Sequence, residues 1–382
     1  MADTLKTFFS PALVRRLAAD IARAHPEFAS RAFVKHATTR LEELELIDRA
    51  KHIAAALAQH LPAAYPDALD VLVRSLGPEY EDDELLGVGM GPFFYYPHLV
   101  FISERGLDHF DLSLQAQYEL TKRFTAEFSM RAYIARDPER TFAVLRKWAG
   151  DPSSHVRRLV SECTRLRLPW ATRVPWLDAH PERILELLEL LKDDSSAMVR
   201  RSVANNLNDL GKTQPKLLIA TCAAWLEGSS SERRGLVEHA LRSAVKRGDK
   251  AALKLLGYGK KASVEVEDVH FEPRRVAIGG RVRVSFTLRS TSRSPQDLLV
   301  DLAVHFVKAN GGASPKVFKL KRVSLAPRAK VELQSSISLA VHTTRKPRPG
   351  KHVVEIALNG DTRRVGSFVV TAAREQLVPR GR

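Results

Sequence analysis

A solenoid of α-helices followed by an all-β sandwich is the fold class this sequence predicts, on three observations. From residue 5 to about 258 apolar residues recur at helical spacing; beyond that, short alternating β-branched runs take over; and a single unit repeats inside the helical region. The expected boundaries are a helical domain over 1–258, a linker over 259–262, a sandwich over 263–373 and a tail over 374–382. In that tail "LVPRGR" reads as the remnant of a cleavable expression tag.

The first helices are marked by Leu13, Leu17 and Ile21, then by Leu41, Leu44 and Ile47, each set one face of a 3.6-residue period. Residues 79–111 fit no repeat. Gly87, Gly89 and Gly91 lack the lysine of a phosphate loop and the strand–helix frame of a dinucleotide site, so a structural insertion with "PFFYYPHLVF" buried is expected. From Asp137 the pattern turns periodic. "DPERTFAVLRKWAGDPSSHVRRLVSECTRL" aligns with "HPERILELLELLKDDSSAMVRRSVANNLND" at an offset of 43, Arg157-Arg158 falling on Arg200-Arg201. A third copy places Arg233-Arg234 in the same slot at a shorter offset of 33 or 34. Helix, polar loop, then a helix opening with Arg-Arg is the signature of HEAT-like repeats, whose second helices line a concave surface.

One repeat strains the helix rule. "SVANNLNDL" carries Asn205, Asn206, Asn208 and Asp209, residues whose short side chains compete for backbone groups. Val203, Leu207 and Leu210 still keep the buried stripe, so a helix is expected, with the polar residues on its other faces and Asn205 and Asp209 pointing the same way.

Past "LGYGKKAS" come seven short runs, from "VEVEDVHF" to "RRVGSFVV", separated by Gly, Pro and Ser turns. Seven such strands in about 110 residues predict an immunoglobulin-like sandwich, here without a cysteine pair.

Charge narrows the function. The chain carries +16, and residues 263–373 hold 19 Lys and Arg against 9 Asp and Glu, which favours a polyanionic partner, nucleic acid first and an acidic membrane surface second. The Pro- and Gly-rich loop "HTTRKPRPGKH" concentrates it in Arg345, Lys346, Arg348 and Lys351, residues suited to run along a phosphate backbone or enter a groove. Cys163 and Cys222 stand alone, supporting neither a disulfide framework nor a thiolate metal site, and a reducing cytoplasm is the expected setting. No apolar run reaches the length of a membrane span, so no membrane-spanning segment is expected, and DNA rather than a membrane is the expected partner.

Acids recur where a solenoid lining would place them. Glu127 lies four before Arg131; Arg158, Glu162 and Arg165 share a helical face at i, i+4 and i+7, with Trp170 at the end of a short loop; Asp209 shares a face with Asn205. Carboxylates among arginines and aromatics suit two jobs. They form structural ion pairs, or they stabilise a cationic transition state while the arginines hold an anion. Glu162 between two arginines fits an ordinary surface pair worth about 0.3–0.5 kcal/mol. Arg-Arg at each second-helix start could tie repeats together, and Trp170 could belong to the core.

"TAEFSMRAYI", "VRRLVSECTRLRLPWA" and "VRRSVANNLNDL", in that order on successive repeats, resemble the AlkC branch of the HEAT-like-repeat alkylpurine DNA glycosylases, relatives of AlkD. "LKTFFSPALVRRLAADI" and the basic sandwich with "KVFKL" and "RPGKH" resemble the subtype with a C-terminal immunoglobulin-like domain, so the likeness spans nearly the whole chain. That resemblance implies hydrolysis of the N-glycosidic bond of cationic N3-alkylated bases, 3-methyladenine and 3-methylcytosine, in double-stranded DNA. It implies an abasic product and a base handled while still stacked. It places the active-site group on Glu127, Glu162, Trp170 and Asp209, and Arg158, Arg165 and Arg201 are candidate phosphate clamps on the concave face. It calls for no metal, no cofactor and no obligate protein partner, in a cytoplasmic, nucleoid-associated monomer. Two other functions fit the same features: a non-catalytic HEAT-repeat DNA-binding scaffold in which the acids are structural, and a protein-interaction solenoid.

Overall fold

The structure is a computed structural model, and it describes residues 5–80, 91–342 and 346–372. The chain divides into two compact units, residues 1–240 and 241–382.

The first unit is helical throughout its described residues. It runs α1 (Pro11–Ala24), α2 (Ser30–Thr38), α3 (Leu46–His60), α4 (Tyr65–Arg74), α5 (Tyr96–Arg105), α6 (Phe110–Thr121), α7 (Met130–Arg136), α8 (Pro138–Trp148), α9 (Ser154–Cys163), α10 (Pro175–Ala179), α11 (Pro181–Leu191), α12 (Ala197–Leu210), α13 (Pro215–Leu226) and α14 (Ser231–Ala240). Many of these begin with proline in their first turn, where its missing N–H costs nothing. The repeats are α8/α9, α11/α12 and α13/α14, and the second helices stack in order, α9 on α12 on α14.

Local chemistry recurs with them. Asp151 Oδ1 accepts the Ser153 amide and Asp194 Oδ1 the Ser196 amide, both at 2.8 Å, closing the same polar turn before α9 and α12. The first arginine of each Arg-Arg pair is structural. Arg157 donates to both oxygens of Asp194 at 2.6 and 2.9 Å and to the Asp151 carbonyl, Arg200 donates to the Ser195 carbonyl, and Arg233 grips Asp193. Arg157 thus reaches forward to the next repeat, Arg200 folds back on its own loop, and Arg233 reaches back to the preceding repeat.

The insertion is only partially seen. Residues 81–90, with Gly87 and Gly89, lie outside the described residues; a 3-10 turn over Gly91–Tyr95 leads into α5, where Tyr96, Leu99, Phe101 and Ile102 are buried as expected.

The second unit begins earlier than composition suggested. Two short helices, α15 (Arg242–Lys246) and α16 (Lys250–Leu255), belong with the strands. The reason is a close approach at Gly360, the second residue of an Asn-Gly hairpin turn. A Cβ there would sit 2.5 Å from Leu253 Cδ1, and one at Gly248 would sit 3.0 Å from the Gly360 carbonyl. The expected linker is likewise tied down: the Asn359 amide donates to the Lys260 carbonyl at 2.9 Å and Ala262 is buried.

Eight strands follow among the described residues, one more than the seven runs in the sequence. They are β1 (Val264–Glu272), β2 (Arg275–Ala277), β3 (Arg281–Ser290), β4 (Gln296–Val307), β5 (Ala313–Leu325), β6 (Lys330–Ser338), β7 (Gly350–Leu358) and β8 (Asp361–Thr371). They form a three-stranded sheet, β1-β3-β6, and a five-stranded sheet, β2-β8-β7-β4-β5, over a shared core that includes Val284, Phe286, Val300, Leu302, Ile356 and Phe368. The added strand β2 pairs in parallel with β8 at the sheet edge and is only three residues long, too short for an alternating pattern to show. Among the described residues no helix is long and apolar enough to cross a membrane.

Candidate active site

The expected acids meet at the ends of two neighbouring helices. Glu162 is the penultimate residue of α9 and Asp209 the penultimate residue of α12. Thr164 ends α9 by turning its hydroxyl back onto the Val160 and Ser161 carbonyls at 3.0 and 3.1 Å. Asn206 fastens that end to α12, its amide donating to the Ser161 carbonyl at 2.8 Å and to Thr164 Oγ1 at 3.0 Å. The asparagine-rich helix is therefore buried on more than its apolar stripe: Ser202, Asn206, Asn208 and Asp209 are all buried.

Two placements differ from the helical spacing. Glu127 stands in the turn before α7, and Arg165 lies beyond the end of α9. The shared face of Arg158 and Glu162 stops there, and Arg165 reaches back from the turn. The result is a relay of alternating charges. Arg158 Nη2 lies 3.4 Å from Glu127 Oε2 and 3.8 Å from Glu162 Oε1; Arg165 Nη1 donates to Glu162 Oε2 at 2.9 Å. Arg165 then donates through Nε and Nη2 to Asp209 Oδ2 at 2.9 and 2.8 Å, and Lys212 Nζ closes the line on Asp209 Oδ1 at 2.7 Å. The surface ion pair expected for Glu162 is thus a buried one, 4% exposed, in which each carboxylate depends on its neighbours to offset desolvation.

A cavity of about 400 Å³ opens onto this relay. Glu127, Glu162, Arg158 and Arg165 form its polar wall, and Phe93, Phe124, Phe128 and Trp170 its aromatic wall. Trp170 is 61% exposed, with φ +63°, a backbone conformation that bulky side chains rarely adopt. Its indole meets Phe93 edge-on at 6.3 Å between centroids. Aromatic faces and carboxylates around one space attract a flat cation, by about 0.5–2 kcal/mol for each ring that it covers. Burial, opposed by Arg158 and reinforced by Glu162, pushes the Glu127 carboxyl above its ordinary range. Its Oε2 accepts from Thr125 at 3.0 Å.

The structure thus brings together Glu127, Glu162, Trp170, Arg158 and Arg165 on one cavity. Asp209 is 2% exposed and stands behind Arg165, reaching the cavity through that side chain. Arg165 is not free to clamp phosphate, because its guanidinium is committed to two carboxylates. Arg201 is exposed in a separate groove of about 230 Å³ between α12 and α14, with Arg200, Glu232 and His239. In the second unit Lys346, Arg348 and Lys351 are exposed around the start of β7, and Arg345 lies outside the described residues. Sequence reasoning missed Phe93, Phe124, Phe128 and His155 as lining residues. Phe93 falls in the cluster expected to be buried, and its distance of 77 positions from Trp170 leaves no local signal. Among the described residues no group of three or more His, Cys, Asp or Glu side chains is arranged to hold a metal ion.

Residues 124–247, which span the site from Glu127 to Asp209, match the family described as DNA alkylation repair enzyme, and residues 265–372 match the C-terminal Ig-like domain of the uncharacterised protein YhaZ. The whole chain is 34% identical over 366 residues to the uncharacterised protein YhaZ of Bacillus subtilis strain 168, covering 95% of this chain and 98% of that one. A solved structure of the Pseudomonas fluorescens alkylpurine DNA glycosylase AlkC, bound to DNA containing an abasic site analog, superposes with a TM-score of 0.88 at 36% identity, over 96% of this chain and 99% of that one.

Proposed function

This chain belongs to the AlkC and YhaZ family of DNA alkylation repair proteins with a C-terminal Ig-like domain, and from that membership we propose that it is a DNA glycosylase that releases cationic N3-alkylated bases. Its proposed substrates are 3-methyladenine and 3-methylcytosine in duplex DNA, and its product an abasic site. The observation that carries the reading is the pairing of Glu127 and Glu162 with an exposed Trp170 across one cavity.

A base that already bears a positive charge needs no proton before it leaves. As the bond from C1′ breaks, its electron pair neutralises the base and the positive charge moves to the sugar. A carboxylate held in place before the reaction stabilises that oxocarbenium without reorganising, which is where electrostatic catalysis gains most. Glu162, fixed by Arg165, is placed for this, and with Glu127 it would orient the water that adds to C1′ and take up its proton. Trp170 would lie against the sugar or the cationic base. Asp209 acts through Arg165. The family resemblance further implies that the base is handled without full extrusion from the duplex, in contrast to enzymes that flip it. The scheme needs no cofactor, and a monomer suffices.

The test is release of free base from methylating-agent-treated duplex by the wild type, Glu162→Gln and Trp170→Ala. Release by the wild type and its loss in folded variants supports the glycosylase. A folded protein that binds duplex but releases nothing would leave the scaffold reading in its place. The neutral analogue 7-deazaadenine should stay attached; release as fast as that of 3-methyladenine would sink the leaving-group argument.

A further inference from the structure

We propose that Arg131 is a positioning residue for base release, its guanidinium clasping both ends of the loop that presents Trp170. The inference rests on the glycosylase reading above. Helical spacing pairs Arg131 with Glu127 four residues before it. Instead it is 3% exposed and donates to three backbone carbonyls: Nε to Thr172 at 2.9 Å, and Nη1 to Cys163 at 2.9 Å and to Arg165 at 2.8 Å. Cys163 ends α9, Arg165 stands at the start of the loop that leaves it, Thr172 ends that loop, and Trp170 stands between.

The start of the loop is also held through Thr164 by Asn206 and through the Arg165 side chain by Glu162 and Asp209, and the stretch from there to Thr172 has fewer ties. Its backbone makes a turn bond from the Ala171 amide to the Leu168 carbonyl at 3.3 Å, and Leu166 and Leu168 are buried beneath it. Apolar burial sets where the loop lies but not its exact span. A planar fork that holds both ends to one rigid group does, and it does so beneath a residue whose backbone is in a costly conformation. The same fork fixes the carbonyl of Arg165, whose side chain orders Glu162 and Asp209. One buried side chain therefore sets the aromatic wall and the root of the carboxylate relay.

A buried arginine that binds carbonyls is often only a fold residue, and this chain carries its own control. Arg49 is also buried and donates to the carbonyls of Leu44, Lys6, Phe9 and Glu42, and neither it nor any of those four residues lines the cavity.

Lysine keeps the charge of Arg131 but is a point donor that cannot span the three carbonyls. Arg131→Lys and Arg49→Lys would be compared in full-length protein labelled with 5-fluorotryptophan. Four tryptophans give four fluorine resonances, with that of Trp170 identified by Trp170→Phe. Arg131→Lys should shift or broaden the Trp170 resonance and leave the other three in place, whereas Arg49→Lys should leave all four. Base release should fall about a hundredfold, the usual effect of a displacement near 1 Å. That loss should be smaller in a Trp170→Ala background, where the part carried by the aromatic wall is already gone and only the part carried through the Arg165 carbonyl remains. Arg131→Gln gives the same readings if the lysine variant does not fold. An unmoved Trp170 resonance, or the same loss of activity in both backgrounds, overturns the proposal, as does failure of both variants to fold, which would make Arg131 a residue of the core. If the wild type releases no base, the glycosylase reading fails, while the fluorine spectrum still decides whether Arg131 holds the loop.

Discussion

Asp209→Asn tests whether the relay works as one object. The amide has the size of the carboxylate, so no cavity is left. Its single carbonyl oxygen can keep Arg165 or Lys212, and its NH₂ group then faces the cation it gave up. Asp209 accepts two bonds from Arg165 at 2.9 and 2.8 Å and one from Lys212 at 2.7 Å, all charge-assisted, and is 2% exposed. A hydrogen bond to a charged group contributes about 1.5–3 kcal/mol. Complete loss of a buried partner costs about 3–5 kcal/mol, and here Arg165 retains Glu162. The expected loss is about 3 kcal/mol, roughly 6–12 °C in Tm for a unit of this size. It is measured by urea and thermal unfolding followed by far-UV circular dichroism, which reports the helical unit, with Arg165→Met completing a double-mutant cycle. In the Arg165→Met background Asp209 is a buried charge that keeps only Lys212, so Asp209→Asn should there be neutral or stabilising. Base release should fall to one level in both single variants and in the double. An equal cost of Asp209→Asn in the two backgrounds would refute the relay and leave Asp209 acting independently.

Three further outcomes follow from the same geometry. Because the Glu127 carboxyl titrates above its ordinary range, the folded chain keeps that proton to higher pH than the unfolded chain, and stability falls as pH rises through the interval between the two. Glu127→Gln should thus raise Tm at neutral pH while lowering base release, with no gain below about pH 4, where an ordinary glutamate is protonated in both states; a pH-independent change in Tm would contradict this. Asp194→Ala removes both bonds to Arg157 and the cap on the Ser196 amide, so unfolding should become easier by about 3 kcal/mol, with activity per folded molecule unchanged when measured well below the melting range. Charge reversal at Lys346, Arg348 and Lys351 together should weaken duplex binding and reduce the slope of log affinity against log salt by about 1 for each phosphate that is no longer neutralised; an unchanged slope would remove this loop from the DNA interface.

The divide between legible and illegible features follows the range of the interactions. The repeats could be read because the first two copies use the same local chemistry, a polar turn closed by Asp and an arginine folding back on its own loop. The sandwich strands could be read because alternation is a two-residue signal, and β2 escaped because three residues carry too little of it. Asn206 is different. Its sequence neighbourhood argues against a helix, and only the contact with Ser161 and Thr164, more than forty positions away, supplies the partner that offsets the cost.

The sequence alone determined the order of domains, the repeat unit, the concentration of positive charge and, through three motifs, which acids and which tryptophan to watch. Tertiary structure decided what those residues do to one another. It turned Arg165 from a phosphate clamp into the link between Glu162 and Asp209, set Asp209 behind the cavity, and drew Phe93 in to face Trp170. It also moved Arg131 from an expected partner of Glu127 to the underside of the Trp170 loop. The physical reason is that helical spacing assigns a side chain to a face, whereas ion pairing and carbonyl binding depend on where chain segments dozens of residues away end and turn.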